Sequence, residues 1–157
     1  MDMKYFMRAE LKQDEIVEIP GIEIFKDEKG KLIPFKVKVL GTEEVNDIRK
    51  AFSKKRIVMD EKGKRLFDKL GRPVLSDETD TEAATRRLVV EALIYPDLKD
   101  PELMKFYEAK DVMEMPFKLF KNPKHWAYVS NAVAEVLGIN SDEAVSDDEL
   151  INEAKNS

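Results

Sequence analysis

The chain contains no cysteine, which excludes disulfide staples, thiolate nucleophiles, iron–sulfur clusters and cysteine-ligated zinc. That absence fits a reducing, intracellular compartment. Histidine occurs once, at His125, so a multi-histidine metal site cannot form. No apolar run approaches the ~20 residues of a membrane-spanning helix. Met1 to Glu10 interrupts its apolar residues with Asp2, Lys4 and Arg8, unlike a signal peptide. A glycine-rich phosphate loop and a GxSxG turn are both missing. These gaps point away from an enzyme, and no cofactor is implied.

What is present is charge and an adequate core. With 157 residues the chain fits one domain, and 43% of it is hydrophobic. Charged residues make up 38%, above the ~25% of an average globular domain, so an interaction-rich surface is expected. The net charge of -5 and pI near 5.1 argue against a general nucleic-acid binder.

Periodicity predicts an α+β fold, an N-terminal β-hairpin or small antiparallel sheet packed on a predominantly helical domain. Ile22 and Ile24 alternate with Glu23, and Phe35, Val37 and Val39 with Lys36 and Lys38, around an Asp27-Glu28-Lys29-Gly30 turn. If Lys26 and Lys31 flank that turn, Ile24 faces Ile33, Ile22 faces Phe35, and Pro34 marks an edge strand. Thr42 is the expected cap of a helix carrying Val45, Ile48 and Phe52 inward. Residues 53–78 form a long excursion, read as a second hairpin. Thr79-Asp80-Thr81-Glu82 has capping-box spacing and opens the central helix, with Ala84, Leu88, Val89, Ala92 and Leu93 inward.

The corner from Glu91 to Leu103 ends that helix at Pro96 and starts another with Asp100 as cap and Pro101 in the first position. Leu103, Phe106 and Tyr107 are its expected apolar stripe. Asn122-Pro123 then caps a helix striped by Trp126, Val129, Val133 and Val136, which Gly138 terminates. The expected organisation is a mobile N-terminal arm over residues 1–14, one globular domain over 15–139, and an acidic tail over 140–157 able to form a short helix. No internal repeat or low-complexity tract stands out.

Candidate chemistry is sparse. Asp77, Glu78, Asp80 and Glu82 lack the ligand ladder and glycine of a calcium loop, and read as a helix start; no metal site is expected. His125 has no acid at useful spacing and reads as a surface or capping residue. Arg49, Lys50, Lys54, Lys55, Arg56, Lys62, Lys64 and Arg65 form a basic segment, but Phe52 and Phe67 fit core stripes better than base stacking. Met113 and Met115 read as core filling. Met3, Phe6 and Met7 lie outside any clear periodicity and are candidates for partner contact. In the tail, Ser146 to Glu149 precedes Leu150, Ile151 and Ala154, which could form an amphipathic face once covered.

Taken in order, four landmarks resemble one family: the strand Phe35 to Leu40, the helix start Gly41-Thr42-Glu43-Glu44, the corner Pro96 to Leu103, and the closing Glu153-Ala154-Lys155-Asn156. The chain resembles the XkdN-like phage tail assembly chaperones over roughly residues 15 to 157. It departs from their pattern in a longer excursion between Ser53 and Thr79 and at Met115-Pro116-Phe117, where the family has a leucine-rich turn. The resemblance implies a non-catalytic protein of the bacterial host cytoplasm, absent from the mature virion. Its implied partners are the tape measure protein and the tail tube protein. The family also implies a longer product made by frameshifting, and Lys155 and Asn156 are the expected slip position, encodable within A AAA AAC. The alternative reading is a small nucleic-acid-associated regulator using residues 49–65.

Overall fold

The computed structural model describes residues 1–139. Two 3-10 turns, Lys4–Phe6 and Ala9–Lys12, precede strand β1 (Ile16–Ile19). β2 (Phe35–Lys38) follows, then α1 (Thr42–Ala51), β3 (Ser53–Ile57), β4 (Leu75–Thr79) and α2 (Thr81–Ala92). β5 (Leu93–Tyr95), α3 (Pro101–Phe106), α4 (Met115–Leu119) and α5 (Pro123–Val136) complete the α+β fold. β1, β2 and β5 form one antiparallel sheet in that order, and β3 pairs with β4 in a second.

The first hairpin differs from its expected register. Phe35 faces Ile19, not Ile22, and the strand that pairs with β2 lies upstream of the predicted one. Two local features cause this. Gly30 adopts φ +77°, and the resulting bulge closes the turn at Lys26 and Leu32, one residue beyond Lys31. A further turn, in which the Phe25 N–H donates to the Ile22 carbonyl at 2.9 Å, then takes Ile22 into the core and leaves Ile24 exposed. Pro34 does not mark an edge: β2 is the central strand, and its ladder begins one residue later at Phe35, so the missing N–H costs nothing.

The helix starts follow local chemistry. Asp100 accepts from the Leu103 N–H at 2.9 Å with Pro101 behind it, and Asn122 accepts from the Lys124 N–H, both as the sequence predicts. At α1 the cap is Gly41, which has no side chain to accept a bond, and Thr42 is already helical. At α2 the cap is Asp80, accepting from the Ala83 N–H at 3.1 Å. Thr79 instead ends β4, its hydroxyl 2.8 Å from that of Ser53.

α2 is the central element of the core. Ala84, Leu88, Val89 and Ala92 are buried, as the periodicity predicts; Leu93 is buried as well, but in β5, because α2 ends at Ala92 and not at Pro96. Val90 is buried too, so α2 hides more than one stripe. Phe25, Phe35 and Phe120 meet with ring centroids 6.1 to 6.4 Å apart and tie the sheet to the helices. Met115 is fully buried and Met113 packs against the core. The Pro96 corner is anchored by Leu98, which is also fully buried, while Asp97 accepts from the Lys99 N–H. Phe106 is a correction: α3 ends there, and the ring lies 78% exposed, edge-on to Tyr107.

Candidate protein-docking surfaces

The residues that could have carried chemistry are occupied structurally. His125 is buried, not a surface residue, because it shares one face of α5 with Val129 and Val133 at four-residue intervals. Its Nε2 lies 3.5 Å from the exposed Glu23 carboxylate, and its Nδ1 is buried without a partner. Glu23's own backbone N–H and the His125 hydrogen bond hold that carboxyl below its usual range. Ser130 donates to the Ala127 carbonyl, so no nucleophile is paired with the imidazole. Asp77 pairs with Lys55, Glu78 with Arg56, and Asp80 is a cap. Among the described residues no group of three or more acidic or histidine side chains could hold a metal ion.

What the fold exposes instead is an arm. β3 and β4 leave the α1–α2 junction, pair along their length, and carry residues 53–79 away from the core cluster, to which none of them belongs. The base is closed by the Asp80 N–H donating to the Phe52 carbonyl at 2.8 Å. The distal end is closed by a ring of backbone bonds: Leu66 donates to Val58, Val74 to Leu66, and Val58 to Val74, at 2.9 to 3.0 Å. Between these eight-residue steps hang two turns built alike. Asp60 accepts from the N–H groups of Lys62 and Lys64, and Asp68 from those of Leu70 and Arg72. Gly63 and Gly71 both take φ +77°, which a side chain would strain.

The turn at Asp27 follows the same plan, with bonds from Lys29 and Lys31 and the same φ at Gly30. An internal repeat is therefore present, contrary to the sequence reading. Asp27-Glu28-Lys29-Gly30-Lys31 recurs unchanged as Asp60-Glu61-Lys62-Gly63-Lys64, and Asp68-Lys69-Leu70-Gly71-Arg72 is a variant. The Arg72 N–H, then that of Leu70 and the Arg72 guanidinium, hold the Asp68 carboxyl below its usual range, against an opposing loss of hydration.

The arm displays apolar side chains to solvent. Met59, Phe67, Leu70 and Leu75 are all more than half exposed, which overturns the expected core role of Phe67. Its charge is basic, eight lysines and arginines against five acids over residues 53–79. Beside its base, α1 and α2 enclose an open groove of about 540 Å³, floored by Ile48, Ala51 and Phe52 and rimmed by Glu44, Asp47, Arg87 and Glu91. At the other extreme of the chain Met3, Phe6 and Met7 are 60 to 73% exposed, with Met1, Tyr5 and Leu11 exposed beside them. Leu150, Ile151, Ala154, Lys155 and Asn156 lie outside the described residues. Exposed apolar clusters on this scale suit protein partners better than small-molecule chemistry.

Comparison with known proteins returns matches along nearly the whole chain. A family model described as phage XkdN-like tail assembly chaperone protein matches residues 3–155. The phage-like element PBSX protein XkdN of Bacillus subtilis (strain 168) is 26% identical over 155 residues, covering 99% of this chain and 94% of that protein. YqbN from the same organism, an uncharacterized protein, is 28% identical over 141 residues, or 90% and 87% of the two chains. The crystal structure of the protein YqbN shares the fold, with a TM-score of 0.68 at 23% identity over 89% of this chain and 98% of the other.

Proposed function

The chain belongs to the phage XkdN-like tail assembly chaperone family, which is non-catalytic, and from that premise we propose that it binds the tape measure protein and keeps it soluble while tail tube subunits assemble. A long helical client with unburied apolar faces aggregates unless something adaptable covers them. The observation that carries this reading is the exposed cluster at Met3, Phe6 and Met7, since thioethers repack around varied apolar partners. The tail residues Leu150, Ile151 and Ala154 supply a second apolar contact. The proposed place of action is the host cytoplasm; no helix among the described residues is long and apolar enough to cross a membrane.

The test is co-purification of the tagged chain with fragments of a tape measure protein from the same phage or prophage. Met3→Asp with Phe6→Asp and Met7→Asp, and separately Leu150→Asp with Ile151→Asp, are each expected to cut the retained fragment at least tenfold. Undiminished retention by both variants would refute the assignment of these residues, and no retention by the unaltered chain would refute the client. One observation favours the regulator reading: Phe67 is exposed beside Lys64 and Arg65, as a base-stacking residue would be. Against it, Asp60, Glu61 and Asp68 interrupt the cations. Salt-sensitive retention on DNA without client binding would favour that alternative.

A further inference from the structure

We propose that the distal end of the 53–79 arm is the docking surface for the chain's own acidic segment, residues 140–157. The arm is a basic device on an acidic protein. Lys55, Arg56 and Arg72 spend their charge within the arm, on Asp77, Glu78 and Asp68. Toward the distal end, Lys62, Lys64, Arg65 and Lys69 are exposed and have no ion-pair partner among the described residues. Phe67 and Leu70 stand among these cations at 58% and 76% exposure, so the surface offers charge and apolar area together.

The segment has the complementary composition. Residues 140–157 carry six acids against Lys155 alone, with Leu150 and Ile151 directly after Asp147-Asp148-Glu149. Its attachment point is fixed, because Ile139 packs against the core. From there an extended segment of this length reaches about 60 Å, beyond the ~40 Å diameter of a compact domain of this size. Tethering decides between this occupant and a separate acidic protein. A linked segment is presented at roughly millimolar effective concentration, so a contact too weak to recruit a free partner is still populated. The arm can receive it without unfolding, since its turns are held by their own Asp60 and Asp68 bonds.

The absence of cysteine allows a single spin label at Ser157→Cys on the full-length, isotope-labelled chain. At low salt, amide signals from Lys62 to Leu70 are expected to fall below half their intensity relative to the reduced label. They should recover in 0.5 M salt, which shortens the screening length, and in Lys62→Glu with Lys64→Glu and Arg65→Glu. Adding Asp147→Lys, Asp148→Lys and Glu149→Lys to that variant should restore the broadening, which loss of arm structure would not permit. Unaffected arm signals, broadening concentrated elsewhere, or insensitivity to charge reversal would each overturn the proposal. So would broadening seen only when labelled and spin-labelled chains are mixed, which would make the occupant a second copy. No client is present in this experiment, so its result stands or falls apart from the tape measure reading.

Discussion

Gly21→Ala should be the most damaging single-methyl change in the connection between β1 and β2. A Cβ at this position would lie 2.0 Å from the Ile33 carbonyl oxygen and 2.9 Å from its carbon. Both are backbone atoms, so no rotamer change relieves the contact, and one backbone segment must move until the 2.0 Å gap approaches the 3.4 Å of ordinary contact. Neither side moves cheaply. Ile22 is 3% exposed and Phe35 1%, and the Pro20 carbonyl accepts the Tyr128 hydroxyl. Overpacking of this kind costs about 1–3 kcal/mol. Partial extraction of Ile22 forfeits a share of the ~1.5–3 kcal/mol its burial contributes. A loss of about 3–4 kcal/mol follows, a large part of the ~5–15 kcal/mol that stabilises a domain. Urea unfolding with an unchanged slope should report it. Gly41→Ala is the control: its Cβ meets nothing within 4 Å and its φ of -66° suits any residue. A Gly21→Ala loss no larger than that of Gly41→Ala would refute the close-approach argument.

Two further outcomes separate local from global stability. Gly63→Ala forces a left-handed φ on alanine at a cost of about 1–2 kcal/mol, but residues 53–79 lie outside the core cluster. Amide exchange at Leu66 and Val74 should therefore accelerate roughly 5–30-fold with the midpoint of global unfolding nearly unchanged. The Asp111 N–H, then that of Lys110, hold the Glu114 carboxyl below its usual value of 4.5. A depressed folded value means the contribution is complete above the unfolded value and is lost as pH falls through the folded one. The melting-temperature gap between the unaltered chain and Glu114→Gln should thus be full at pH 7 and close below pH 4.5; a gap that widens with acid would contradict stabilisation of the carboxylate by these two N–H groups.

Much of the helical half was legible because its signals are local. Asp100-Pro101 and Asn122-Pro123 each combine a cap acceptor with a proline that needs no donor, and α2 carries its apolar period over 12 residues. The sheet was less legible because strands of three or four residues give too few alternations to set a register. β1 and β5 are defined by pairing with β2, and that information is not local. The β1–β2 register turns on the left-handed Gly30 and the turn at Ile22, since one extra residue sends every following side chain to the other face.

The docking surfaces were hidden for a different reason. Net charge is a sum, and a chain at -5 conceals an arm with three more cations than acids. Periodicity assigns Phe67 to a core because it assumes that apolar residues are buried somewhere, whereas a segment stiffened by its own turns needs no core to hold its shape. In the arm the aspartate side chains and left-handed glycines do that work, leaving Met59, Phe67 and Leu70 outward. The readable signal was the repeated Asp27-to-Lys31 and Asp60-to-Lys64 pentapeptide. Since its first copy closes a hairpin, the second predicts another at the same spacing, and apolar residues flanking two adjacent tight turns cannot all face one core. An apolar residue between such turns is then better read as a contact awaiting a partner than as misplaced packing.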